Sequence, residues 1–162
     1  MYEENDEIDV VIEIPYKSNV KYEIDNNNLR IDRVLSTAMF YPGNYGYIPH
    51  TLAGDGDPVD VLIINETPFY PTAHIRCKVL GMLFTVDEKG EDQKILALPI
   101  SKIDSSYSDI NDLNDINDSK LEIIRNFYEN YKKLEKNKTV TVKEYFNKDE
   151  TIKFIKSCII DK

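Results

Sequence analysis

The hydrophobic period changes once along this chain, and that change constrains the fold more than any other feature. Up to about residue 99 the apolar residues recur at alternate positions; beyond residue 119 they recur every third or fourth. Ile8, Val10, Ile12 and Ile14 alternate with Asp9, Val11 and Glu13 until Pro15 stops the run, which predicts a strand. Further strands are expected at 21–24, 29–35, 59–64, 75–86 and 94–99, punctuated by Gly, Pro and Asn. Many short strands of this kind suit a barrel. Ser119 with Glu122 has the form of a capping box, and Leu121, Ile124, Phe127, Tyr128, Tyr131 and Leu134 then trace an amphipathic helix. A short strand at 139–142 and a last helix with Ile152, Ile155 and Ile159 on one face follow. The expectation is one mainly β (α+β) domain over residues 1–162, a small barrel flanked by two helices.

Charge narrows the partners. Twenty basic against twenty-nine acidic residues give a net charge of −9, which repels nucleic acid and anionic membrane. No apolar run approaches the ~18–20 residues of a membrane span. The acidic start lacks the basic-then-apolar pattern of a secretory leader, so a cytoplasmic location is expected. Cys77 and Cys158 show no CxxC spacing and read as small buried hydrophobes. His50 and His74 read as surface or loop residues rather than ligands.

The strongest local signal is Asp55-Gly56-Asp57-Pro58-Val59-Asp60, three carboxylates in six residues running into the apolar VDVLII. Two carboxylates ~4 Å apart repel by about 4 kcal/mol at an effective dielectric near 20, so crowding them in a turn fixed by Gly56 and Pro58 calls for a cation. A helix-loop-helix calcium site is excluded, because Val59 and Asp60 stand where a ligand and a glycine are required. Asp87-Glu88-Lys89-Gly90-Glu91-Asp92 reads as a hairpin tip that brings Asp87 and Asp92 near each other, with Lys94 on the Asp92 face. Lys21 and Glu23 share a strand face. Residues 40–49, with three tyrosines, two glycines and two prolines, form a rigid, irregular wall: either phenols facing a phosphate or an aromatic mini-core. Residues 109–118, DINDLNDIND, read as solvated turns rather than a metal tract.

Taken together, IEIP, KYEID, DRVLSTAMFYPGNYGYIP, DGDPVDV, DEKGEDQK and NFYENYKKLEK, in that family's order, resemble the blocks of soluble family I inorganic pyrophosphatases of the short prokaryotic type. The resemblance spans about residues 11–136. It implies a five-stranded OB-like β-barrel and hydrolysis of pyrophosphate with several Mg²⁺ ions, which resolves how so acidic a chain binds phosphate. By motif position, it implies Asp55, Asp60 and Asp92 as ligands of the metals that activate water. Asp87 and Glu13 then serve the metals accompanying substrate, and Glu23 a water-mediated shell. Asp57 matches the general base; Lys21, Arg33, Tyr45, Lys94, Tyr131 and Lys132 match phosphate contacts, and Tyr41 another cavity tyrosine.

The chain departs from the bacterial-type pattern in having no tryptophan. The short type commonly forms homohexamers and longer relatives dimers, so a homohexamer is expected. Two rivals stand beside the enzyme: a catalytically silent OB-like binding module, and a metal-dependent phosphatase acting on nucleotides.

Overall fold

The structure is a computed structural model and describes residues 6–160; the first five residues, and with them part of the acidic start read above, lie outside, as do 161–162. In chain order the elements are β1 (Glu7–Ile14), β2 (Val20–Asp25), β3 (Asn28–Val34), β4 (Asn44–Tyr47), β5 (Asp60–Ile63), β6 (His74–Asp87), β7 (Gly90–Pro99), α1 (Asp118–Asn130), β8 (Val140–Phe146) and α2 (Lys148–Cys158). Five strands close a ring in the order β1-β4-β5-β7-β6, and β6 returns to pair antiparallel with β1. All neighbours in the ring are antiparallel except β5 and β7. β8 adds to β6, while β2 and β3 form a separate two-stranded ribbon. None of the described helices is long and apolar enough to cross a membrane.

The strand sequences explain why both faces are covered. In VDVLII, Val61 and Ile63 join Ile8, Val10, Ile12, Ile95 and Ala97 in one core, which α2 completes with Ile155 and Cys158. Leu62 and Ile64 point the other way and meet Leu96, Leu98 and the α1 residues Ile124, Phe127 and Tyr128. A run apolar at every position is therefore a strand buried on both sides. Cys77 and Cys158 are free and buried, as expected.

Several boundaries differ from the sequence expectation. Residues 44–47 are a strand, not irregular wall, because Gly46 lets β4 approach β1: a Cβ there would lie 2.0 Å from Val11 O. The N-cap of α1 is Asn117, whose Oδ1 accepts from Ser119 N, so Ser119 stands inside the helix rather than capping it. Leu134 lies beyond the helix end and is 78% exposed. In α2 the buried residues are Thr151, Ile155 and Cys158, and Ile159 is already the C-cap. Within 109–118, Asp112 accepts from Asn114 N and Asp115 from Asn111 N, so these carboxylates are occupied by turn hydrogen bonds.

Candidate active site

The outward-facing residues at one end of the β4-β5-β7 sheet are polar, and they open into a cavity of about 440 Å³. Register explains their convergence. Asp60 pairs with Tyr47 on one side and, in the parallel ladder, with Lys94 on the other. Asp92 lies two residues before Lys94 and so shares its face. The β6–β7 hairpin turns tightly, with Asp87 opposite Gly90, which needs its φ of +123°, and Asp92 opposite Thr85. Asp87 and Asp92 consequently occupy one face and line the same cavity.

Glu13 arrives by a different device. Ile12 pairs with Gly46 and Ile14 with Tyr45, leaving Glu13 as the extra residue of a β-bulge. Its Oε2 accepts from Ile24 N at 3.2 Å. Burial, only partly offset by that bond, pushes its carboxyl up to about 7.

Asp55, Asp60 and Asp92 each present an oxygen within 4.8 Å of the others. Burial raises the carboxyls of both Asp55 and Asp92. Lys94 Nζ lies 3.0 Å from Asp60 Oδ2 and 2.9 Å from Asp92 Oδ2, and donates to Tyr45 Oη at 2.7 Å. Burial alone would lower this lysine, but the two carboxylates outweigh it and hold it well above the ordinary value. Hard oxygen donors crowded in this way suit a divalent cation such as Mg²⁺, and three carboxylates exceed what one ammonium neutralises.

Around this centre, Lys132 Nζ stands 3.8 Å from Asp87 Oδ2, and burial lowers its ammonium. Lys21 Nζ pairs with Glu23 Oε1 at 3.2 Å, on the shared face expected. Asp57 sits at the mouth, its N–H donating to Asp55 Oδ1 at 3.1 Å and its carboxylate 3.9 Å from Lys89 Nζ. Tyr41, Tyr45 and Tyr131 pack with Phe127 and Tyr128. The tyrosine wall is thus an aromatic core whose edge lines the cavity. Burial raises all three phenols, which therefore stay protonated as donors.

Of the residues expected from the sequence, the structure brings every one to the cavity lining except Arg33. Its guanidinium is held by Asp32 at 2.5 Å and by Glu135 at 2.7 Å, away from the lining. Tyr47, Glu88, Lys89 and Lys138 also line the cavity. Glu88 and Lys89 were visible within the hairpin motif, whereas Lys138, in the segment between α1 and β8, carries no local signal.

The model of the inorganic pyrophosphatase family matches residues 10–161. The chain belongs to the inorganic pyrophosphatase family. It is 47% identical over 154 residues to the inorganic pyrophosphatase of Campylobacter jejuni, covering 94% of this chain and 90% of that one. Against that of Nanoarchaeum equitans it is 49% identical over 150 residues, covering 93% and 94%. Its fold superposes on the Thermus thermophilus inorganic pyrophosphatase with a TM-score of 0.93 at 36% identity, over 98% and 92% of the two chains. A structure of an inorganic phosphatase from Anaplasma phagocytophilum gives 0.93 at 46% identity, over 97% and 94%. The family needs a divalent metal, and the aspartate cluster offers a place to hold one.

Proposed function

We propose that this chain hydrolyses inorganic pyrophosphate to two orthophosphates in the carboxylate cavity. The observation that carries the proposal is the cluster of Asp55, Asp60 and Asp92 oxygens within 4.8 Å of one another, in a cavity also lined by Lys21, Lys94 and Lys132. Those aspartates would hold Mg²⁺, with Asp87 and Glu13 holding further ions and Glu23 acting through water; the metal would supply neutralisation of the substrate and a lowered pKa for water.

The chain's own groups then divide the work. Asp57, open at the mouth in a turn that its backbone N–H closes on Asp55 Oδ1, takes the proton of the attacking water. Lys21, Lys94 and Lys132 meet the phosphate oxygens, and the protonated phenols of Tyr45 and Tyr131 donate to them, stabilising charge on the leaving phosphate. Tyr41 braces Tyr45 and Tyr131 from behind. Arg33 reaches a phosphate only by leaving Asp32 and Glu135. A homohexameric assembly in the cytoplasm completes the proposal, on the likeness to short prokaryotic members.

Phosphate release from pyrophosphate, with and without Mg²⁺, tests this for the native chain beside Asp57→Asn. The expected result is Mg²⁺-dependent release that falls by about 10²–10⁴ in the variant while its circular dichroism is unchanged. Undiminished release in the variant would remove Asp57 from its role; equal rates on ATP and pyrophosphate would remove the substrate assignment. The binding-module alternative is not supported, because the family match is to enzymes and the expected carboxylates all line one cavity.

A further inference from the structure

A second concavity, of about 600 Å³, is lined by none of the proposed catalytic residues. Its size falls in the ~300–1,000 Å³ range of small-molecule pockets. Leu98, Ile116 and Phe127 form its interior, and Phe40 and Ile123 stand at its mouth, 47% and 55% exposed. Phe127 lines this pocket and its ring stacks at 4.9 Å on Tyr131, which lines the carboxylate cavity, so the two lie on opposite sides of one aromatic layer.

At the rim, Lys120 is half-buried, donates to Pro42 O at 3.2 Å and has Nζ 6.0 Å from the centroid of Tyr16. Among the described residues no carboxylate oxygen lies within 4.0 Å of it, although acidic side chains outnumber basic ones in this chain. Glu66 also lines the pocket, but its Oε2 is engaged by Tyr16 Oη, which donates to it at 3.1 Å. Burial lowers the Lys120 ammonium, only partly offset by Glu66. An apolar interior beside a partly desolvated cation that makes no close ion pair is complementary to one kind of guest.

We propose that this pocket binds a small organic anion with a flat apolar body, its rings against Phe40, Ile123 and Phe127 and its acidic group on Lys120. The assignment is independent of the catalytic one, since binding is read directly.

The probe is 1-anilinonaphthalene-8-sulfonate, with N-phenyl-1-naphthylamine as the same ring system lacking the sulfonate. The native chain, its tertiary structure checked by near-UV circular dichroism, is expected to bind both saturably at one site. Lys120→Met should weaken the sulfonate about tenfold and leave the neutral analogue unchanged, because only the charge-assisted contact is lost. Ile123→Glu, at a half-exposed helix position, should abolish both without lowering the melting temperature. Absence of saturable binding, or binding that neither substitution moves, overturns the proposal. Binding that appears only when light scattering shows dissociated monomers also overturns it, because a second copy would then cover the pocket.

Discussion

Lys94→Met tests how the carboxylate cluster is held together before any divalent ion arrives. The lysine side chain is 5% exposed and lies between Asp60 and Asp92, themselves 18% and 11% exposed. Removing the ammonium leaves two carboxylates whose nearest donor atoms lie within 4.8 Å of each other. At an effective dielectric near 20 their unmasked repulsion is about 3 kcal/mol. Tyr45 Oη also loses its partner, so a total loss of about 3–5 kcal/mol is expected, the range for breaking a buried pair from one side. Urea unfolding in a chelator, followed by far-UV circular dichroism since there is no tryptophan, measures it. The sign of the pH dependence follows. Burial already raises Asp92, and Lys94 opposes that rise. Without the lysine, native Asp92 takes up a proton at higher pH than the unfolded chain does, so the deficit must shrink from about pH 8 to about pH 5. Saturating Mg²⁺ should shrink it too. A deficit below about 1 kcal/mol at the higher pH, or one indifferent to pH and to Mg²⁺, would refute the compensating role of Lys94.

Three further outcomes are expected. Glu13, raised from 4.5 to about 7, binds its proton more tightly in the native state, so chelated protein should lose up to about 3 kcal/mol as pH rises between those values; the urea midpoint of Glu13→Gln should lack that slope. Gly46→Ala places a Cβ 2.0 Å from the Val11 carbonyl oxygen and should cost roughly 3 kcal/mol or more by separating β4 from β1, read as a fall in melting temperature. Asn44, fully buried, donates Nδ2 to Asn65 Oδ1 and Thr67 O and accepts from the N–H groups of Tyr16 and Phe69. Asn44→Asp sets a carboxylate against two acceptors and should destabilise by about 3 kcal/mol near neutral pH, less in acid, by urea titration.

What the sequence disclosed depended on how local each signal was. DGDPVDV was legible because its three carboxylates and their turn lie within six residues, and alternation exposed β1, β6 and β7. β4 was hidden because four residues containing Gly46, beside prolines and tyrosines, have the composition of a loop; only the approach to β1 makes them a strand. The bulge that turns Glu13 into the cavity needs the partner strand to exist, so its motif marked the residue but not the device. The Asp60–Lys94 pair arises from a parallel ladder across 34 positions, which no period reveals. Arg33 shows the converse: the motif named it, yet the contact with Glu135, 102 positions away, decides where its guanidinium rests.

Closure of the ring by β1 and β6 also bears on the folding kinetics. Those strands meet across more than 60 positions of chain, so the barrel is rich in contacts that form late. Glu13, Asp60 and Asp92 sit on three different strands, β1, β5 and β7, and approach one another only as β1, β4, β5 and β7 pair side by side. Their mutual repulsion therefore falls on the native side of the barrier, where it quickens opening more than it slows assembly. A bound cation should accordingly lengthen the lifetime of the folded state while leaving the refolding rate nearly unchanged.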